Sequence, residues 1–451
     1  MASRSARLLL FATLGASALA CSDDITGMDT GSGGSAAPRN MLYVQSNNTT
    51  PGENAIVAFR RDSATGQLTH LGSYRTGGRG HANPTRGSLG PNDLDDPIIV
   101  SPDRRRMFAV NAGSNTIAVL DILADGSLRA IAGSPFPSGG TNPVSLGLAG
   151  DRLFVVNKDE DANQLPMGDQ PNYASFSVGA NGALSPIPGG TVSTVPMASP
   201  SHALISRNGQ FVFGADFLAP FFNPGAGSVR ALRIGAGGAL APASLIQVPP
   251  PPPGVPAPPP GFNPERLRLP LGLWTHPSQN ILYVGHVTYD HLGVYNFDPA
   301  SGALSFVTQV RNSGREICWI RTNAAGTRLF TVNNIDNSVS WYDIGSNPRA
   351  PVERQKLTLK EPGPMFLNDR GPLSFMQITS TPFQPALSPD ERFFYVINQR
   401  VDFASSYQQG NNIHIVRIAS DGTLSEPGDP VQLTPQIGVP VRDRPHGVVV
   451  F

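Results

Sequence analysis

Two cysteines in 451 residues, Cys21 and Cys318, leave no material for a disulfide framework. Stability must therefore come from packing and backbone hydrogen bonding. Charge is scarce as well: 15% of the residues are charged, and 33 acidic residues balance 33 basic ones. No net field steers the chain toward nucleic acid or an anionic membrane surface, so nucleic acid is excluded as an expected partner. Short chemical signatures are also missing, including Cys/His metal spacing, a Gly-x-Ser-x-Gly elbow, a Gly-Lys-Ser/Thr phosphate loop and a dinucleotide fingerprint. His276, His286 and His291 are too widely spaced for a metal motif, and Lys158-Asp159-Glu160-Asp161 lacks the alternating carboxylates of a calcium loop. The expectation is a protein that works without metal or organic cofactor.

What is present begins with an export signal. Arg4 and Arg7 precede the apolar stretch Leu8–Leu14 and the small residues Gly15–Ala20, the pattern of a signal peptide over residues 1–20 and too short to span a bilayer. Cys21 follows directly, and Ala18-Leu19-Ala20-Cys21 resembles a bacterial lipobox, although ordinary cleavage after Ala20 stays open. Lipidation at Cys21 with a flexible tether through residue 39 would make this an exported, lipid-anchored cell-envelope protein, touching the membrane only through its anchor. Cys318, inside the apolar strand Ile317–Ile320, is expected to pack as a small hydrophobe.

From residue 40 onward the chain repeats one unit, seen most cleanly in Pro97–Gly133. Apolar runs Ile98–Val100, Met107–Val110 and Thr116–Ile122 are separated by turn residues, and Asp125-Gly126 leads into a fourth run, Ser127–Ile131. The hairpin signature Gly-x-Leu recurs at Gly66, Gly126, Gly182, Gly238, Gly302 and Gly422, so its glycines lie 60, 56, 56, 64 and 120 residues apart. The longest gap hides a degenerate copy with the hairpin Gly345-Ser346-Asn347-Pro348. Second-strand runs at Leu42–Val44, Met107–Asn111, Leu153–Asn157, Phe211–Phe213, Ile281–Val284, Leu329–Asn333 and Phe393–Asn398 count seven units. Seven four-stranded antiparallel units predict an all-β, seven-bladed propeller over residues 40–451, a single monomeric domain. The first unit lacks its first strand, and Gly447–Val450 at the far end supplies one, so the C-terminal strand is expected to close the ring. The proline-rich stretch 249–264 reads as a polyproline II insertion.

In such a ring the first strands line the axial channel, and the loops before them converge on one face with the ends of the second strands. Polar residues at those places are the candidates. At the first strands stand His202, Arg315, Glu316, Arg444 and His446. Second-strand ends carry Asn111, Asn157, Lys158, Asp216, His286, Asn333 and Asn398. For the asparagines a turn role is the plainer explanation. The segment Gly77–Asp96 adds His81, Asp93, Asp95 and Asp96 on the loop before the second unit.

The units SPDRRRMFAVN, SPDERFFYVIN and RNGQFVFGAD, each followed by a Gly-x-Leu hairpin, resemble the propeller lactonase family, which includes bacterial 6-phosphogluconolactonase and the fungal carboxymuconate-lactonizing enzyme. Its Pro-x-His first strand is matched by Pro200-Ser201-His202 and approximately by Arg444-Pro445-His446. Where the family commonly places Glu after the second-strand Asn, this chain has Ala112, Lys158, Asn334 and Gln399. The resemblance implies metal-free hydrolysis of a small lactone, with His202 or Glu316 as base, Arg315 as oxyanion partner and His446 in the catalytic set. Asn111, Lys158, Asp216, His286 and Arg444 would then contact substrate. Export argues against 6-phosphogluconolactone, a cytoplasmic metabolite, as that substrate. The alternative is a non-catalytic envelope propeller that binds a protein or glycan; converging His, Arg and Glu in a deep pocket would favour the enzyme, and a plugged channel the binder.

Overall fold

The computed structural model describes residues 37–81, 93–159, 170–217, 227–255, 263–361, 366–367, 377–378, 380–400 and 408–451. The expected signal peptide, Cys21 and nearly all of the tether lie outside the described residues, as do Glu160–Asp161, the apolar loop from residue 218 and the middle of the proline-rich insertion.

Seven antiparallel sheets form in chain order, one per predicted unit. Their inner strands are His446–Val450 (blade 1), Ile98–Val100 (blade 2), Pro143–Ala149 (blade 3), Leu204–Ile205 (blade 4), Pro270–Thr275 (blade 5), Ile317–Thr322 (blade 6) and Ser380–Leu387 (blade 7). Blade 6, degenerate in its hairpin, still has all four strands, ending with Ser338–Asp343 and Val352–Thr358. A two-residue ribbon, Phe366–Leu367 with Gln377–Ile378, precedes blade 7. Among the described residues no helix is long and apolar enough to cross a membrane.

The second strands are buried along nearly their whole length, as in Met41–Gln45 and Phe211–Asp216, because both faces of each sheet pack against a neighbouring blade. This yields one apolar layer per blade junction. Tyr43 and Met41 of blade 1 meet Ile98, Met107 and Ala109 of blade 2, and the sequence continues round the ring to Phe393, Tyr395 and Ile397 of blade 7 against Leu42, Val57 and Val448 of blade 1. Cys318 lies buried in the layer that Trp319, Phe330, Phe383 and Phe394 build around blades 6 and 7, packed as an ordinary small hydrophobe.

The expected closure is observed. Leu42 pairs with Val450, Tyr43 with Val449 and Val44 with Val448, so the last strand of the chain is the inner strand of the first blade.

The hairpin glycines have a steric cause. A Cβ on Gly126 (φ 88°) would lie 2.2 Å from the Met41 side chain, the first residue of the second strand in the preceding blade, and one on Gly66 (φ 78°) would lie 2.5 Å from Phe393. The same carbonyls are anchored from behind: the Tyr43 hydroxyl donates to Gly126 O at 2.8 Å and the Tyr395 hydroxyl to Gly66 O at 2.9 Å. A residue without a side chain and with positive φ is what lets each hairpin rest on its neighbour.

Candidate functional site

The chain entering blade 2 runs through the axial channel before its inner strand begins. Leu94 O accepts hydrogen bonds from the Trp319 indole N–H (2.7 Å, blade 6) and the Gln384 amide (2.7 Å, blade 7). Lys158 of blade 3, fully buried, donates its Nζ to Asp93 O at 2.7 Å. The Asp95 N–H donates to Ser201 O of blade 4, and Asp96 O accepts from the Leu146 N–H of blade 3. Residues 93–96 thus cross the channel and tie together four of the seven blades.

Charge gathers on this crossing. Arg321, on the inner strand of blade 6, donates through NH1 to Asp95 Oδ2 (2.9 Å) and through NH2 to Asp95 Oδ1 (2.8 Å) and Asp96 Oδ1 (2.8 Å). Its guanidinium lies over the Trp274 ring, 4.3 Å from the centroid. Burial alone would pull the Arg321 pKa down, but the two carboxylates hold it above the ordinary arginine value. The Asp96 carboxyl is pushed up by burial and pulled down further by Arg321 and His202, and ends below the usual carboxylate value, hence ionised at neutral pH. His202 Nε2 lies 3.1 Å from Asp96 Oδ2. An ionised carboxylate only accepts, so Nε2 carries the proton when the ring is neutral and Nδ1, buried and without a hydrogen-bond partner in the structure, is left with its lone pair. Asp95, Asp96 and His202 bring their ligand atoms within 4.8 Å of one another. A cation there would have to displace the guanidinium that already bridges both carboxylates.

A cavity of about 720 Å³ opens onto this cluster. Asp96 and Arg321 lie at its base, and its walls are the C-terminal ends of the inner strands of blades 1, 2, 5, 6 and 7 with the turns that follow. The Asp96 side chain keeps 22% of its surface exposed, whereas the His202 side chain keeps none. Asp96 can reach a ligand, and His202 acts through it. This mouth is opposite to the one where the sequence reading concentrates candidates, because it is formed by the turns after the inner strands rather than the loops before them.

The candidates divide accordingly. His202 and Lys158 meet the crossing segment. His446 is buried with Nε2 3.1 Å from Gln45 Oε1, and burial pushes its imidazole down to about 3. Arg444 is buried just before the closing strand. Arg315 and Glu316 stay together at the start of the blade 6 inner strand beside Asp290, whose Oδ1 accepts the Glu316 N–H at 2.7 Å, and they do not line the cavity. Asp290 itself is raised to about 6 by burial. Asp216 is locked by Arg230 (Nε to Oδ1, 3.0 Å) and the Ser228 hydroxyl. His286 sits between Gln309 and Tyr295, each at 2.9 Å, and burial lowers it to about 4. Asn111 accepts from Asn54 (2.9 Å) and Thr76 (2.6 Å) of blade 1, a peg between blades.

Sequence reasoning passed over Arg321. Its signal was available: a lone charge within the apolar strand Ile-Cys-Trp-Ile-Arg-Thr, two residues from Trp319 and so on the same face. Along the sequence Asp95 and Asp96 stand out only as members of a polar loop.

Residues 265–402 match the family model described as Lactonase, 7-bladed beta-propeller. The chain is a seven-bladed propeller, similar over this stretch to the propeller lactonases. The periplasmic gluconolactonase PpgL of Pseudomonas aeruginosa superposes with a TM-score of 0.60 at 17% identity, over 91% of this chain and 98% of that one. A candidate 6-phosphogluconolactonase of Bacteroides uniformis gives 0.59 at 14% identity, over 91% and 99%. A hypothetical selenium-binding protein of Sulfolobus tokodaii gives 0.60 at 11% identity, over 92% and 94%, so likeness at this level reports the fold. No curated relative matches the chain by sequence.

Proposed function

We propose that this propeller hydrolyses a small lactone in the cavity floored by Asp96 and Arg321. The observation that carries the reading is an ionised, partly exposed carboxylate oriented by a buried histidine and flanked by a fixed cation, all at the base of a cavity of ligand size. Asp96 takes a proton from water as the water oxygen bonds to the lactone carbonyl carbon. The Arg321 charge offsets the developing oxyanion. When the ring C–O bond breaks, the proton passes from Asp96 to the ring oxygen, which leaves a hydroxy acid. His202 holds Asp96 in place. The likeness to gluconolactonase-type propellers supports this reading, and with the residue 1–21 pattern it supports an exported protein anchored by lipid at Cys21.

A second reading, a non-catalytic envelope propeller that binds a protein or glycan, is favoured by the segment 93–96 that blocks the channel.

The test is a lactone panel assayed with chelator present. Asp96→Asn should lower kcat about a hundredfold or more. His202→Leu should move the acid limb of the pH–rate profile upward, because it removes a hydrogen bond that lowers the Asp96 pKa. Turnover lost in Arg315→Ala and Glu316→Ala but kept in Asp96→Asn would move the chemistry to the opposite rim, where these two and His446 were expected to act. No turnover of any lactone would leave the binding reading.

A further inference from the structure

We propose that the cavity takes a lactone with an apolar body in preference to a sugar lactone; this rests on the hydrolytic reading above and names its substrate class. Four charged residues line the cavity, Asp96, Glu391, Arg104 and Arg321. The two cations differ in commitment. Arg321 is engaged by Asp95 and Asp96 and has no uncommitted charge to offer. Arg104 lies over the Phe451 ring, 5.4 Å from its centroid. Glu391 is held by the Ala324 N–H (2.7 Å) and the Asn323 amide (3.2 Å), its carboxylate kept at the wall.

A phosphate monoester brings a charge of about −1.5 to −2 and needs free guanidinium, ammonium or clustered backbone N–H groups to replace its water. This lining offers it a single guanidinium outside an ion pair, Arg104. The rest of the wall is aliphatic, with Ile99, Val100, Leu387, Val449 and Val450 from blades 1, 2 and 7 left only half-buried at the ends of inner strands. They pack against the interblade layers on one side and present the other to the cavity. Each methylene that a ligand buries against this wall should tighten binding about fourfold.

The experiment titrates the full chain with γ-decanolactone, D-glucono-δ-lactone and 6-phosphoglucono-δ-lactone, following tryptophan fluorescence for binding and acid release for turnover. γ-Decanolactone should bind at least about tenfold more tightly than either sugar lactone. Leu387→Arg, which adds an uncommitted cation to the wall, should weaken γ-decanolactone about tenfold and improve the phosphorylated lactone. Val100→Arg, on a different blade, repeats the test should Leu387→Arg unfold. Binding of γ-decanolactone without turnover would leave the ligand class standing and remove the hydrolytic reading. Preference for the phosphorylated lactone, with turnover, would overturn the ligand class and leave hydrolysis. γ-Decanolactone affinity unaltered by both variants, or no binding at all, would overturn the proposal.

Discussion

Arg321 shows how one side chain can be required for fold and for site at once. Its side chain is 8% exposed and that of Asp95 1%, so neither charge has water to fall back on. Removing the cation strands two carboxylates in the channel, a situation that costs about 3–5 kcal/mol for a buried pair. Arg321→Met should therefore lower the unfolding free energy by roughly 3 kcal/mol in denaturant titration at neutral pH, and less in acid. The sign follows from Asp96: its folded pKa is depressed, so its contribution is present above the unfolded carboxylate pKa and is lost as pH falls through the folded value. A variant as stable as the wild type at pH 7 would show that the crossing segment is held by its backbone bonds alone.

At the level of the element, the hairpin between third and fourth strands couples each blade to the one before it. Gly126 combines a φ of 88° with a Cβ position already filled by Met41, and the Tyr43 hydroxyl fixes its carbonyl. Gly126→Ala should cost about 1–3 kcal/mol, the range for a non-glycine residue held at unfavourable φ, and Met41→Ala in the same chain should recover part of the steric share. Gly52, with φ 78° and nothing within 4 Å of its Cβ position, is the control: Gly52→Ala meets the conformational cost without the clash. Equal losses at both positions in thermal melts would discount the interblade contact.

The whole molecule depends on a junction between its two ends. Strand His446–Val450 contributes Val448 and Val450 to the layer between blades 7 and 1, and Val449 to that between blades 1 and 2, while pairing with Met41–Gln45. Deleting residues 446–451 opens two layers together and bares the edge of the first blade. The expected result is a large fall in Tm with concentration-dependent association; an unchanged Tm would mean the ring needs no clasp. The deletion also removes one wall of the cavity, so ligand binding should fall with stability.

The sequence by itself determined the number of blades, their strand order and the ring closure, because these rest on local chemistry that repeats: turn residues at fixed offsets, apolar runs of strand length, and a missing first strand matched by a spare one. It determined as well that Cys318 would be packing; for the second-strand asparagines it suggests turns, whereas Asn111 takes its hydrogen bonds from Asn54 and Thr76 across a blade junction. Only the tertiary structure decided which polar residues meet. Asp96 and Arg321 are 225 residues apart, and no pattern along the chain records that a loop before blade 2 will run through the axis to blade 6. Arg315 and Glu316, conspicuous in sequence, do not line the cavity, whereas Arg321, hidden in an apolar strand, lines it beside Asp96. Periodicity reports which face a residue occupies; the partner across a closed ring is set by the closure.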